Sequence, residues 1–206
     1  MTTLLKRSLA SLVALAAGLS LFSSANTLQA DGYHYQIQVS TALLANPVGE
    51  LTALKMSWVY DPSMTPLLID EKDLVPTNKA AALKKLGHAM LEDLFEFGYF
   101  SQVSINDQPA AISKVQEYDL SLASNNGLSL SFKLPLQTAL PVAGKIISLR
   151  LADPDGVGNL AYSSPQKITM DASLAKLCSV TTITEETVTL PNGHKPVVPK
   201  VQIQCK

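Results

Sequence analysis

Three histidines, two cysteines and two short acidic stretches are the parts of this 206-residue chain whose chemistry could serve a reaction or a metal. His34, His88 and His194 lie on three separate stretches, and no pair shows the i, i+4 helix spacing that puts two imidazoles on one metal. His34 stands closest to the start of the folded part, on the polar face of an alternating strand, and is the one candidate metal ligand. An amino-terminal copper or nickel site needs histidine at the third mature position. Cleavage after Ala30 would put His34 fourth and cleavage after Ala25 ninth, which argues against that kind of site. Asp70, Glu71 and Asp73 could hold a hard cation, but such a run usually means a solvated loop. Asp153-Pro154-Asp155-Gly156-Val157-Gly158 has acids where a calcium loop begins. It has Val157 at the fifth position and Ser164 where the bidentate Glu should be, so it reads as a turn. No GxSxG elbow is present, and no cysteine is left over as a nucleophile. The chain is therefore expected not to be an enzyme, and no catalytic residue is assigned.

Cys178 and Cys205 are the only cysteines. Strand formers Val180, Thr182, Thr184, Thr187 and Val188 precede the turn Leu190-Pro191-Asn192-Gly193, and Val201-Gln202-Ile203-Gln204 follows it. The midpoint of the two cysteines falls between Pro191 and Asn192, inside that turn, so antiparallel pairing sets the sulfurs opposite each other. A Cys178–Cys205 disulfide is the expectation, and it implies an oxidising compartment. A thiolate metal pair would want CxxC spacing or a neighbouring histidine, and neither is there. Pro196 and Pro199 weaken the second strand and point to an edge or a bulge.

The amino-terminal segment supplies the matching address. Lys6 and Arg7 form a positive n-region, Ser8–Phe22 is an uncharged apolar run, and small residues precede Ala25 and Ala30. Residues 1–30 are read as a cleaved signal peptide, with an uncleaved anchor as the rival, and the apolar run is short for a membrane span. The expected location is the periplasm, with no membrane insertion after cleavage. Removing Lys6 and Arg7 from the 16 basic residues leaves 14 against 17 acidic ones, a formal charge of −3. That balance excludes nucleic acid and anionic membrane surfaces as expected partners.

These residues are positioned by a chain in which period-two alternation dominates. Tyr33, Tyr35, Ile37, Val39, Thr41 and Leu43 share one face of a first strand. Leu54, Met56, Trp58 and Tyr60 share one face of a second, after the turn Asn46-Pro47-Val48-Gly49. Tyr33, Tyr35, Trp58 and Tyr60 could line a groove but read more simply as core. The period then changes to that of a helix. Thr77 or Asn78 is the cap, Leu83, Leu86, Met90, Leu94 and Phe97 form the apolar stripe, and Gly98 is the stop. Lys84, His88 and Glu92 follow at i+4 on its outer face. A shorter turn of helix covers Met64–Glu71. Strands resume at Phe100–Ile105 before the turn Asn106-Asp107. A hairpin follows, 118–122 and 128–134 about Ser124-Asn125-Asn126-Gly127, and then short strands at Lys145–Leu151 and Lys167–Met170. The predicted fold is mainly β or α+β. It comprises β-sandwich-like antiparallel sheets with one main helical insertion at about 63–97, in a domain over 31–175, and a disulfide-closed hairpin over 176–206.

Leu54-Lys55-Met56-Ser57-Trp58-Val59-Tyr60-Asp61, Tyr99-Phe100-Ser101 with Val103-Ser104-Ile105-Asn106, and Leu149-Arg150-Leu151-Ala152-Asp153-Pro154 occur in that order. In these stretches, roughly residues 32–170, the chain resembles the bacterial family called domain of unknown function 1007. Members are often labelled periplasmic components of an uncharacterised ABC-type transport system. The resemblance implies a periplasmic accessory or binding protein near transition-metal transport, with zinc, nickel or cobalt as the ion and an inner-membrane metal transporter or other envelope protein as partner. Mature chains of the family open on His-Pro-His. Gly32-Tyr33-His34 stand at those positions here, which makes His34 the one metal ligand that carries over. Where many members have an acidic, calcium-loop-like stretch, this chain has Asp70-Glu71-Lys72-Asp73 without the glycine. The other expectation is a structural or protein-interaction module of the envelope that binds no metal.

Overall fold

The first two alternating stretches form an antiparallel hairpin, β1 (Tyr35–Ala45) and β2 (Leu51–Tyr60), that pairs Val39 with Trp58 and Thr41 with Met56. Asn46 closes it, its side-chain oxygen accepting from the Val48 and Glu50 amides, while Gly49 takes the positive φ that the turn needs. This computed structural model describes residues 34–206; residues 1–30, read above as a signal peptide, and Asp31, Gly32 and Tyr33 lie outside the described residues.

Residues 62–96 are helical in short pieces: 3-10 turns at Pro62–Met64 and Glu71–Leu74, α1 (Thr65–Leu68) and α2 (Lys79–Glu96). The remaining elements are β3 (Ser101–Ile105), β4 (Gln108–Pro109), β5 (Tyr118–Leu122), β6 (Leu128–Leu140), β7 (Ile146–Leu151), β8 (Gly158–Ala161), β9 (Ile168–Met170), α3 (Ala172–Leu177), β10 (Cys178–Thr187) and β11 (Val197–Cys205). One sheet runs β5-β6-β2-β1-β8, with β9 also on β1; the other runs β10-β11-β7-β3-β4. The predicted β-rich, two-sheet architecture with a helical insertion is what forms. Buried side chains of both sheets join in one core, Ile37, Met56, Trp58 and Phe132 from the first and Val103, Leu149, Val201 and Ile203 from the second.

Four features depart from the sequence expectation. First, β8 and β9 both pair with β1 in parallel; alternation marks a strand's buried face and says nothing of its direction. Second, the buried line on α2 is Leu83, Gly87, Leu91 and Leu94, while Leu86 and Met90 are half-buried and Phe97 is exposed. Gly87 sets that rotation: a Cβ there would stand 3.0 Å from Leu120 Cβ and from the Tyr118 ring, so only glycine lets the helix lie so close to β5. Third, α2 ends at Glu96, and Gly98, Tyr99 and Phe100 all adopt positive φ. This left-handed turn buries Tyr99 completely and stacks Phe100 on Trp58 with ring centroids 5.9 Å apart. Fourth, β11 is an interior strand rather than an edge. Pairing with β7 begins at Lys200, so Pro199 lies opposite Glu185 of β10 and outside the second ladder, where its missing N–H is tolerated. The one-residue bulge falls instead on β10, between Val180 and Thr182. The hairpin at 176–206 is thereby built into the second sheet, and the described residues 34–206 belong to one compact unit.

Candidate site around the Asp153–Gly158 loop

The Asp-Pro-Asp-Gly turn leaves β7 and enters β8, so the two sheets meet at its ends. Gly156, at positive φ, donates its amide to the Asp153 carbonyl, which closes the turn. The Asp153 side chain is only 4% exposed and is fully occupied within the protein. One carboxylate oxygen accepts the Asp155 amide at 2.9 Å; the other accepts the Gly158 amide at 2.7 Å and the Tyr35 hydroxyl at 3.3 Å. A Cβ at Gly158 would stand 2.7 Å from the Tyr35 oxygen, so this glycine is what admits the ring. Burial, and then the Asp153 charge and hydrogen bond, push the Tyr35 hydroxyl well above its ordinary value, so it stays a donor. The acid of this loop therefore serves as a turn organiser, in keeping with the turn read from its sequence.

His34 and His194 both engage this loop, one from each end of the described chain. The His34 amide donates to the Val157 carbonyl at 2.8 Å, and the residue is exposed. His194 Nδ1 lies 3.0 Å from the Asp155 carbonyl oxygen, which also accepts the Asn192 side-chain amide at 3.0 Å. His194 sits in the Leu190–His194 turn of the β10–β11 hairpin, and it is half-buried against the loop rather than exposed. That placement could not be read from the sequence, since it depends on the tip of one sheet's hairpin reaching the loop of another strand. His88 is exposed on α2, and its neighbour Glu92 is paired with Lys114 at 2.6 Å.

The other candidates have plain places. Asp70 pairs with Lys72 at 2.7 Å on an exposed turn, beside Glu71 and Asp73. Trp58 and Tyr60 are core, as their alternation suggests; burial raises the Tyr60 hydroxyl. The Trp58 indole nitrogen is buried without a hydrogen-bond partner. Among the described residues no group of three or more histidine, cysteine, aspartate or glutamate side chains could hold a metal ion. Cys178 and Cys205 lie opposite each other in the β10–β11 ladder and are joined by a disulfide, both ends buried.

These features define a two-sheet β protein whose helices are gathered mainly in one connection and whose last hairpin is closed by a buried disulfide. The family described as Protein of unknown function (DUF1007) matches residues 33–189, and the chain belongs to it. No curated protein matches the chain. The match takes in the Trp58 strand, the left-handed Gly98–Phe100 turn and the Asp153 loop, and it ends between β10 and β11.

Proposed function

We propose that the protein is exported to the periplasm, where it works without catalysis as an accessory or binding protein associated with transition-metal transport. The observation that carries the export half is the buried Cys178–Cys205 disulfide, which an oxidising compartment forms and keeps. The n-region, apolar run and small residues before Ala30 support it independently. Among the described residues no helix is long and apolar enough to cross a membrane. The metal half rests on family membership and on His34, exposed where the described chain begins. Its partner would be an inner-membrane transporter or another envelope protein. Since the described residues offer no ready-made group of three ligands, an ion held at His34 would complete its shell from water or from that partner.

The test is made on full-length chain expressed in bacteria. Osmotic-shock extracts should contain a form that begins after Ala25 or Ala30 and resists thiol labelling without reductant. A full-length, thiol-reactive chain in the cytosol overturns export. Calorimetric titration of the purified protein with zinc and nickel should give binding that His34→Ala weakens. Affinity no tighter than about millimolar, roughly 4 kcal/mol, overturns the ligand half.

A second reading, an envelope interaction module without metal, is favoured by the helical connection. Leu67 is 76% exposed there, and Val75, Phe95 and Phe97 also face outward. Stable complexes in envelope extract from a protein that binds neither metal would select it.

A further inference from the structure

On the second sheet Val201, Ile203 and Cys205 point into the core, so Lys200, Gln202 and Gln204 point away from it. Ladder pairing extends this outward face: Lys200 and Gln102 both lie opposite Arg150, and Ser104 lies opposite Ser148. Gln102, Ser104, Ser148, Arg150 and Lys200 line a cavity of about 440 Å³, walled on one side by Pro109 and Ala110 where the chain leaves the short strand β4. The size suits a small organic molecule.

The hydrogen-bonding state of its lining decides what that molecule is. Arg150 is anchored, its Nε to Glu186 and its Nη1 to the Gln102 side-chain oxygen at 2.9 Å. The Lys200 ammonium is ion-paired with the same Glu186 carboxylate at 3.6 Å, a long contact that a ligand could replace. Neither the Ser104 nor the Ser148 hydroxyl is hydrogen-bonded among the described residues, and the Ser148 hydroxyl opens to the cavity although most of the residue is buried. Arg150 and Lys200 are only 34% and 29% exposed, so their charges stand in a partly desolvated place. Hydrogen bonding from Arg150, in the first place, holds the Glu186 carboxyl below its ordinary range, so it is ionised and the trio keeps one net positive charge. An anchored cation, a second cation held only by a long ion pair, and two hydroxyls with no protein partner ask for an acceptor-rich anion. Asp107, also on the lining, disfavours a multiply charged one.

We propose that this cavity is a binding site for a small carboxylate, held by Lys200 and Arg150 and hydrogen-bonded by Ser104 and Ser148. Arg150 is preset by its two partners, and Lys200 turns from Glu186 to the ligand. The Asp107 side of the cavity suits an amino or hydroxyl group on the same molecule, so amino and hydroxy acids are preferred over dicarboxylates. No histidine or cysteine lines the cavity, and the site is separate from the metal reading.

Glycine, L-lactate and succinate, with inorganic phosphate for comparison, are titrated into isotope-labelled oxidised protein at constant ionic strength. Saturable amide shifts are expected at Ser104, Ser148 and Lys200 with glycine or lactate, stronger than with succinate. Lys200→Gln should weaken binding about tenfold or more, equal to about 1.4 kcal/mol. Lys200→Arg should retain it, with both variants melting as the parent does. Absence of saturable shifts up to about 10 mM, where even an affinity of about 4 kcal/mol would register, overturns the site. So does binding indifferent to Lys200→Gln, and phosphate binding without any carboxylate overturns the ligand class.

Discussion

Asp153 holds one end of the molecule together through a single carboxylate. Its oxygens collect two loop amides and a tyrosine hydroxyl 118 residues away. Asp153→Ala would leave those donors unsatisfied in a buried place, and should lower unfolding stability by about 1–3 kcal/mol, measured by urea denaturation. Asp153→Asn, which keeps an acceptor oxygen, should recover part of the loss. The turn itself was legible from Asp-Pro-Asp-Gly, because those residue types act on their own neighbours. Tyr35 as partner was not, since alternation places a tyrosine on a face and cannot say which loop its hydroxyl meets. His34, read from alternation as a strand residue, instead sits in a bend just before β1, which begins at Tyr35. Its sharing of a loop with His194 depends on tertiary placement alone.

Helix α2 shows how one small residue re-aims an element. Its length and its end near Gly98 follow from sequence, while its buried line runs through Gly87 and Leu91, which the stripe read from Leu83, Leu86, Met90, Leu94 and Phe97 leaves out. Leu91→Ala should cost about 2–5 kcal/mol by opening a void in the core. Phe97→Ala, at a half-exposed ring, should cost under about 1 kcal/mol. Thermal melts of the two variants distinguish the lines, and equal losses would restore the Phe97 stripe. The β5–β6 hairpin was the most legible element. Asn126 takes positive φ in its turn, and at Gly127 a Cβ would stand 2.4 Å from the Tyr60 carbonyl oxygen. By contrast β8, four residues long, has no periodicity to read, and its parallel partner is the first strand.

For the whole molecule, the disulfide closes the only part of the second sheet that comes from the end of the chain. Because Cys178 and Cys205 are symmetric about a turn, the pairing could be read from spacing, whereas the placement of β11 between β10 and β7 could not. With the cysteines 27 positions apart in sequence, replacing both by alanine should cost roughly 3–4 kcal/mol in the chain-entropy account. Urea unfolding of the variant against the oxidised parent measures it. Reductant should lower the parent's midpoint and leave the variant's unchanged.

The parallel pairing of β1 with β8 and β9 also sets a timetable. Tyr35, Thr41 and Ala45 meet partners that lie 118, 121 and 126 residues further along the chain. The first described strand is therefore among the last to be enclosed, since the edge that takes β8 and β9 stays open until those strands have been made. Such long-range closure slows folding. For a protein that must thread through a membrane before it folds, as proposed here, delay written into strand order would keep the chain in a form that can still pass.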